Sequence, residues 1–354
     1  MNRRLFLVGL PLLSSAQTAS AVPPLRGLSR TNLLEYRDGG AIRIAKSRRE
    51  WEVRRREAID AMHQVTGPLP GKEKRCPLVV TVHDEADMGS YVRRSISYAA
   101  EPGSRVTAYL CIPKAALAGK KAAAVLCLHP TDNVAGYKVV VGLGGRPHRQ
   151  YASELAERGF VTISPSYVQL AEYQPDVRKL GYESGTMKAI WDNLRALDLL
   201  DGLAQVRKGK YAAIGHSLGG HNAIYTAVHD ERIRVVVSSC GFDSFLDYYG
   251  GNIKGWVQER YMMRMGRYVS APQDVPFDFY ELIAALAPRA VFVNAPLRDA
   301  NFRHASVDRI RDAALPVFKL YGAEERLRVE HPDSEHDFPD VERFAAYEWI
   351  ARYL

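Results

Sequence analysis

The sequence predicts an α/β protein whose mainly parallel sheet is covered by helices on both faces. After residue 121, short unbroken apolar runs alternate with segments in which apolar residues recur at helical spacing. Continuous apolar strands separated by helices are typical of parallel sheets that are buried on both faces. The chain has 354 residues, of which 47% are hydrophobic and 25% charged, so it can bury a large core without cross-links.

The chain begins with a predicted export signal at residues 1–21. Arg3 and Arg4 precede a short apolar stretch, and Ala19-Ser20-Ala21 matches a small-residue cleavage site. The apolar stretch is too short to cross a bilayer as a helix. The run Asn-Arg-Arg-Leu-Phe-Leu is typical of a twin-arginine signal, with an ordinary secretory signal or an N-terminal anchor as the alternative. We therefore expect a periplasmic or secreted protein that is not held in a membrane once the signal is removed.

Charge and cysteine usage exclude several classes of partner. The net charge is +8, but the basic residues are scattered, and the densest group, at 47–57, is interleaved with glutamates. This pattern indicates a solvated helix face and not a nucleic-acid-binding stripe, although basicity weakly favours an acidic polymer as substrate. The four cysteines lack metal-ligand spacing, so we expect buried free thiols, with one disulfide as the alternative.

The elements before residue 122 form a predicted N-terminal extension, residues 22–121. A lead-in at 22–43 is followed by a charged surface helix at 44–65, which the Gly- and Pro-rich run at 67–71 ends. Strand-like patterns then follow at 78–82, 91–98 and 106–113, with a turn at 101–104. The last two of these strands should form an antiparallel hairpin.

Residues 122–354 form the predicted catalytic core. The strands are predicted at 122–128, 160–164, 211–214, 235–239, 290–293 and 327–330, and the helices at 147–158, 187–197, 218–228, 279–287, 307–313 and 338–353. In such a sheet, ligands bind beyond the carboxyl ends of the strands.

The stretch Gly215-His216-Ser217-Leu218-Gly219 lies where an apolar strand passes into a helical segment. It matches the nucleophile elbow Gly-x-Ser-x-Gly, in which glycines let strand and helix approach and a sharp turn exposes the serine hydroxyl. The N–H groups and the positive dipole end of the following helix would point to where an oxyanion develops. We predict Ser217 as a catalytic nucleophile; a turn of small packing residues is the alternative.

A serine nucleophile needs a base, and on this type of sheet the order along the chain is serine, acid, histidine. His336 lies in a polar loop between the last strand and the last helix, from which an imidazole can reach the carboxyl edge of the sheet. Asp299 lies in the loop after the penultimate strand, a place that suits a carboxylate orienting that imidazole. We predict His336 as the base and Asp299 as its acid, with His331 and Asp243 as the alternatives.

The oxyanion hole should use a second N–H from the loop after the strand at 122–128. There His129 is followed by Pro130, which has no N–H. The backbone N–H of Thr131 is therefore the predicted donor, together with that of Leu218.

An aromatic and glycine-containing insertion at about 242–276 predicts a small cap near the site. Its rings could stack on a sugar or enclose an apolar acyl or aryl group, and a small satellite core is an equal alternative. The candidate substrate-binding residues in and around this site are His129, His216, Phe242, Tyr248, Tyr249 and Trp256.

From about residue 122 to 354 the chain resembles the α/β-hydrolase superfamily, in its dienelactone-hydrolase-like and bacterial acetyl-xylan-esterase-like branch. The likeness lies in Gly-His-Ser-Leu-Gly-Gly-His-Asn, Ser-Ser-Cys-Gly-Phe and Glu-His-Asp-Phe-Pro, and the strands at 78–113 resemble those that precede the core in that branch. The resemblance implies an α/β-hydrolase fold, ester hydrolysis through an acyl-enzyme, and Ser217, Asp299 and His336 as the triad.

Two positions depart from relatives of this fold. Dienelactone hydrolases resemble cysteine-nucleophile enzymes, whereas Ser217 stands at the elbow here. Glucuronoyl esterases place an arginine soon after the serine, whereas Leu218 follows it here. Both departures argue against those two specificities.

The sequence therefore predicts an exported serine carboxylic-ester hydrolase that needs no metal or organic cofactor. The expected substrate is a small-molecule or polysaccharide ester, with carbohydrate-linked acetyl esters first. A prolyl-oligopeptidase-like peptidase is a weaker alternative because no propeller-sized segment precedes the core. A carbohydrate-binding protein that keeps the fold without the chemistry is another. The oligomeric state is left open.

Overall fold

A computed structural model of the protein describes residues 27–354, so the predicted signal at 1–21 lies outside the described residues. Within 27–354, none of the helices combines the length and the apolar character needed to cross a bilayer.

The N-terminal part contains a small hairpin, a long helix and three antiparallel strands. These are β1 (Glu35–Asp38), β2 (Ala41–Ile44), α1 (Arg48–Thr66), β3 (Thr81–Asp87), β4 (Tyr91–Glu101) and β5 (Ser104–Pro113). The predicted pairing of the last two strands is confirmed, because β4 and β5 form a hairpin that closes between Glu101 and Ser104.

The remaining chain alternates between strands and helices. Its elements are α2 (Lys114–Leu117), β6 (Ala122–Leu128), α3 (Tyr151–Glu157), β7 (Val161–Pro165), α4 (Gly185–Gly202), β8 (Val206–His216), α5 (Leu218–His229), β9 (Ile233–Ser239), α6 (Phe279–Ala284), β10 (Ala290–Asn294), α7 (His304–Leu320), β11 (Leu327–Glu330) and α8 (Asp340–Tyr353).

Nine strands form one sheet in the order β11-β10-β9-β8-β6-β7-β5-β4-β3. The pairs among β6 to β11 are parallel, and the N-terminal strands extend the sheet in antiparallel fashion through β5 and β7. Successive side chains of β6 enter two different cores. Leu126 lies in the core that contains Trp191 and Ile224, and Val125 lies in the core that contains Tyr151 and Ile350. The mainly parallel sheet with helices on both faces is thus confirmed.

Several predicted boundaries are wrong. The first helix begins at residue 48 and not at 44, because residues 41–44 pair with β1 and Ser47 caps the helix by accepting the N–H of Glu50 at 3.3 Å. That helix is also not a surface helix throughout, since Trp51 and Arg54 are fully buried. Residues 78–80 lie outside β3, and residues 147–150 lie outside α3.

The segment 242–276, the cap segment below, runs from just after β9 toward α6 with no α-helix or strand. It is built from four short 3₁₀ helices, Tyr248–Gly250, Ile253–Trp256, Met263–Tyr268 and Pro272–Asp274. Its aromatic side chains therefore take their positions from packing and not from a regular backbone.

Candidate active site

The carboxyl end of β8 turns sharply into α5 at Ser217. The backbone of Ser217 has φ +55° and ψ −119°, a conformation that costs a non-glycine residue about 1–3 kcal/mol. Its N–H donates to the carbonyl of Ser239 at the end of β9, at 2.8 Å. The neighbouring strand therefore holds the turn in its strained form and leaves the serine side chain to line a cavity.

Steric contacts require glycine at the positions on either side of Ser217. A Cβ added at Gly215 would lie 2.2 Å from the backbone of Gly219, and one added at Gly219 would lie 1.9 Å from the carbonyl oxygen of Leu128. The helix, its own strand and β6 thus approach so closely that no side chain fits between them. This close approach explains the Gly-x-Ser-x-Gly spacing.

His336 and Asp299 meet at the same edge of the sheet. The His336 Nδ1 atom lies 3.0 and 2.9 Å from the two carboxylate oxygens of Asp299. The Asp299 side chain is 1% exposed and also accepts the N–H groups of Asn301 and Phe302, which fix its orientation. His336 is 20% exposed and lines a cavity together with Ser217. The carboxylate therefore holds the imidazole with Nε2 free for other contacts.

The two alternative residues make different contacts. Asp243 accepts the N–H of Arg303 at 3.1 Å, its other oxygen is buried without a partner among the described residues, and burial raises its pKa to about 8. His331 is held between the carbonyl of Ala295 and the carboxylate of Asp308. Within residues 27–354, neither makes a hydrogen bond to His336.

The loop that carries His336 is anchored by its neighbour Asp337. Arg149 donates to Asp337 at 2.6 Å and to the carbonyl of His336 at 3.3 Å, and His148 lies 2.7 Å from Asp337. Burial alone would raise the pKa of the Asp337 carboxyl, but the hydrogen bonds from Arg149 and His148 outweigh it, so the pKa is lowered. Asn294, at the end of β10, donates to the carbonyl of Asp337 at 2.9 Å.

Two adjoining cavities of about 340 and 170 Å³ open at Ser217 and His336. Only four of the described residues line both cavities, namely Thr131, Arg146, Ser217 and His336. A separate cavity of about 680 Å³, lined by the β4–β5 turn and by residues between 172 and 180, contains none of them. Below, the larger cavity and the smaller cavity are those of about 340 and 170 Å³ beside Ser217.

Two backbone N–H groups beside Ser217 are available as donors. Leu218 is the first residue of α5, and Thr131 lies in the loop after β6; neither N–H donates to a protein acceptor within residues 27–354. Both residues line the larger cavity. Free N–H groups at the start of a helix are a favourable place for negative charge.

The cap segment forms the opposite wall of the larger cavity. Tyr248, Tyr249 and Trp256, three of the predicted substrate-binding residues, line it. Trp256 also packs edge-on against Phe245 at 5.5 Å, so the segment is both a cavity wall and a small aromatic core. The satellite core drawn from the sequence is thus present, and substrate binding by these rings stays a prediction.

The other predicted substrate-binding residues are placed differently. His129 is 2% exposed, with Nδ1 on the carbonyl of Pro130 and Nε2 accepting the N–H of Tyr167. Phe242 is buried and stacks on Phe279 at 4.9 Å. Neither lines the two cavities, so neither can touch a substrate there without losing its own packing. His216 does line the smaller cavity, although its Nδ1 is engaged with Ser239 at 2.9 Å.

Some cavity residues are not among the sequence predictions. Those with polar or aromatic side chains in the 340 Å³ cavity are Arg146, His221, Tyr261, Asn301 and Phe302. His221 follows Ser217 by one helical turn on α5, the only one of these positions with a periodic sequence signal. Its Nδ1 lies 3.1 Å from the carbonyl of Gly241, and its Nε2, like the Nε1 of Trp256, is buried without a partner in the part of the chain described.

One group of side chains near the site could offer ligands to a metal ion. Atoms of His216, Cys240 and His336 lie within 4.8 Å of one another. The Nδ1 atoms of both histidines are already engaged, with Ser239 and Asp299. Burial raises the pKa of the Cys240 thiol well above its ordinary value, and a protonated thiol is a poor ligand.

Comparison with known proteins identifies the fold of the chain. No model of a known protein family matches the chain. Among curated proteins, the chain is 28% identical over 166 residues to one named "Putative hydrolase YtaP", from Bacillus subtilis (strain 168). The match spans 47% of this chain and 53% of that protein, about half the length of each.

Three solved structures share most of the architecture. A glucuronoyl esterase from Solibacter usitatus has a TM-score of 0.73 at 17% identity, with 92% of this chain and 97% of that chain covered. A glucuronoyl esterase from Caldicellulosiruptor kristjansonii has a TM-score of 0.65 at 17% identity, with coverage of 91% and 90%. An acetyl xylan esterase from Paenibacillus sp. R4 has a TM-score of 0.55 at 16% identity, with coverage of 85% and 93%. The chain thus has the α/β-hydrolase fold, as the sequence resemblance implies.

Proposed function

We propose that the protein is a serine esterase that hydrolyses carboxylic esters through an acyl-enzyme. The observation that carries the proposal is the pairing of the His336 Nδ1 with the Asp299 carboxylate at 2.9 Å, beside a cavity that His336 shares with Ser217. This pairing leaves Nε2 of the imidazole as the proton acceptor, on the ring that faces the shared cavity.

In the acylation step, Ser217 Oγ attacks the ester carbonyl while His336 Nε2 takes its proton. The described structure shows no hydrogen bond between these two atoms, and such bonds commonly tighten only when substrate is bound. The buried Asp299 carboxylate stabilises the imidazolium that forms. The imidazolium then donates its proton to the leaving alcohol as the ester C–O bond breaks.

The tetrahedral intermediate carries a negative charge on the former carbonyl oxygen. The N–H groups of Leu218 and Thr131 are the proposed donors to this oxygen, and the N-terminal dipole of α5 acts in the same direction. Water then attacks the acyl-enzyme with His336 as its base. The reaction releases the carboxylic acid and restores Ser217.

The proposed substrate is a carbohydrate-linked ester, with an acetyl ester first. The larger cavity is walled by aromatic rings, the usual partners of sugar faces. His221 and Trp256 line this cavity, and within residues 27–354 each has a buried ring nitrogen without a partner. They are an acceptor and a donor that a substrate hydroxyl would satisfy after a small shift of the rings. Structures of similar fold named glucuronoyl esterase and acetyl xylan esterase support this class. The twin-arginine-like start of the sequence supports export.

A panel of esters tests the function. We expect the wild-type protein to release acetate from acetylated xylan and from a chromogenic acetate ester, and Ser217→Ala to release none above background. A methyl glucuronate ester tests for glucuronoyl esterase activity, and an aminoacyl-proline amide tests the peptidase alternative. Turnover of the amide with no ester hydrolysed would overturn the proposal.

A further inference from the structure

We infer that the natural ester carries a second, negatively charged group, a carboxylate, and that Arg146 binds it where the two cavities join. The inference rests on the proposed esterase function and narrows its substrate class. It starts from the placement of Arg146, one of four described residues that line both cavities. The other three, Thr131, Ser217 and His336, are the groups proposed to act on the ester itself.

Arg146 has no partner within the described residues. It makes neither an ion pair nor a hydrogen bond there, and its side chain is exposed at the cavity wall. Arg149, three residues further on, shows the contrast: it is 4% exposed and paired with Asp337 at 2.6 Å. Arg149 therefore serves the structure of the His336 loop, whereas the guanidinium of Arg146 is available to a ligand.

The carboxylates of the cavities do not neutralise Arg146. Asp299 is buried and engaged with His336. Asp132 lines the smaller cavity but accepts the N–H groups of Val134 and Ala135 at 2.9 and 2.7 Å, and it lies beyond ion-pair distance from Arg146. The larger cavity has no Asp or Glu among its lining residues.

Two other histidines of the cavities, His216 and His221, carry no charge at neutral pH. Burial lowers the pKa of His221 to about 4. The pKa of His216 is lowered well below its ordinary value, first by burial and then by the positive charges of Arg149, His336 and Arg146.

The loop that carries Arg146 packs against Val139 through the backbone of Gly145. Gly145 has φ +79°, and a Cβ at this position would lie 2.4 Å from the Val139 side chain. The loop therefore packs closely on the 3₁₀ turn Gly136–Val141. This contact fixes the backbone immediately before Arg146, which lines both cavities.

A carboxylate is the chemical class that fits. A guanidinium presents two parallel N–H groups to a carboxylate, a charge-assisted pair about twice as strong as a neutral hydrogen bond. The net charge of +8 would also favour approach of an acidic polymer. An ester next to a free carboxylate, as in an acidic carbohydrate, would satisfy both features.

Matched pairs of anionic and neutral esters test the inference. For a carboxylate on the alcohol side the pair is 4-acetoxybenzoate and its methyl ester. For one on the acyl side the pair is monomethyl succinate and dimethyl succinate, corrected for the two equivalent esters of the latter. The measured quantity is the ratio of kcat/KM for the anionic ester to that for the neutral ester, each divided by its alkaline hydrolysis rate.

We expect this ratio to exceed about ten for at least one pair in the wild-type protein, as a charge-assisted contact implies. It should fall to about one in Arg146→Gln and remain high in Arg207→Gln. Arg207 is an exposed arginine at the amino end of β8, at the opposite end of the strand from Ser217, so it gives the same charge change away from the cavity.

A ratio below about ten for both pairs in the wild-type protein, or one that Arg146→Gln leaves unchanged, would overturn the inference. These outcomes differ from failure of the proposed function, in which all four esters remain uncleaved. If the neutral esters are hydrolysed while the ratio fails, the esterase proposal stands and only the carboxylate subsite is lost.

Discussion

The two walls of the larger cavity are built in different ways. The wall at the sheet edge consists of the β8–α5 turn and the loops after β10 and β11, and strand pairing, close backbone contacts and short hydrogen bonds fix it. The cap wall consists of 3₁₀ turns, and ring packing such as that of Trp256 on Phe245 fixes it. The reacting groups lie on the first wall, and most groups that would contact the rest of the substrate lie on the second.

This difference indicates where substitutions should act. A change at the sheet edge removes a reacting group or disturbs a backbone contact that cannot adjust, so its effect should be large. A change in the cap alters one of several side-chain contacts, so its effect should be moderate and confined to binding.

The largest effect is expected for Ser217→Ala. We expect kcat for a chromogenic acetate ester to fall by about 10⁴-fold or more, because the attacking oxygen is lost. The matched control is Ser334→Ala, a half-buried serine in the His336 loop, which should retain wild-type rates. Residual activity within tenfold of wild type in a folded Ser217→Ala protein would contradict the proposed mechanism.

Two acids near the site provide the next comparison. Asp299→Asn should lower kcat by about 10³- to 10⁴-fold, since an amide cannot stabilise the imidazolium. Asp243→Asn should change kcat by less than about twofold, because burial raises the pKa of Asp243 to about 8 and the wild-type side chain is already mostly neutral at pH 7. Steady-state kinetics of both variants decide this, and the reverse ranking would assign the acid role to Asp243.

The close backbone contact at the elbow can be tested through stability. Gly219→Ala places a Cβ 1.9 Å from the Leu128 carbonyl oxygen, so we expect the free energy of unfolding to fall by about 3 kcal/mol or more, or the protein to fail to accumulate. Gly202→Ala, at the end of α4, adds a Cβ in open space and should cost less than about 0.5 kcal/mol. Denaturant unfolding compares the two, and equal values would argue against this contact.

The cap wall should respond more weakly. Trp256→Phe removes the unpartnered Nε1 donor and keeps most of the ring packing, so KM for acetylated xylan fragments should rise about three- to tenfold with kcat little changed. Tyr268→Phe, in the same segment but outside the cavity lining, is the control and should leave KM unaltered. A fall in kcat without a change in KM would place Trp256 in the chemical step.

The smallest effect concerns the anchor of the His336 loop. The pKa of the Asp337 carboxyl is lowered in the folded protein, so its contribution to stability is present above the ordinary value of 3.8 and is lost as the pH falls through the lower folded value. Asp337→Asn should therefore cost about 1 kcal/mol at pH 7, reduced by partial exposure. That difference should shrink below pH 3.8 in unfolding experiments. A difference that grows in acid would reverse the sign and contradict the assignment.

The sheet and the candidate triad were predictable because each lies on a regular pattern. Ser217, Asp299 and His336 each follow a strand of the parallel part of the sheet, and the carboxyl ends of parallel strands meet at one edge of the sheet. The β1–β2 hairpin was missed because its strands have only four residues each and β2 is exposed throughout, so they lack the alternation that indicates a half-buried strand.

The residues that line the cavities around the candidate triad were less predictable. Arg146 lies in an irregular loop, so no periodicity indicates which way it faces. His129 lies in the loop that supplies Thr131, yet its ring is turned inward onto Tyr167. Phe242 and Trp256 are both cap aromatics, and only packing decides that the first is core while the second lines the cavity. Composition predicted the cap, but it could not show which of its aromatic residues are core and which line the cavity.

Covalent labelling with a fluorophosphonate tests the central claim most directly, because the reagent bonds its phosphorus to an activated serine oxygen with loss of fluoride. We expect peptide mapping by mass spectrometry to find one label per wild-type chain, on Ser217, and no label on Ser217→Ala or on wild-type protein unfolded before treatment. A folded wild-type protein that stays unlabelled, or that carries its label on another residue, would contradict the account.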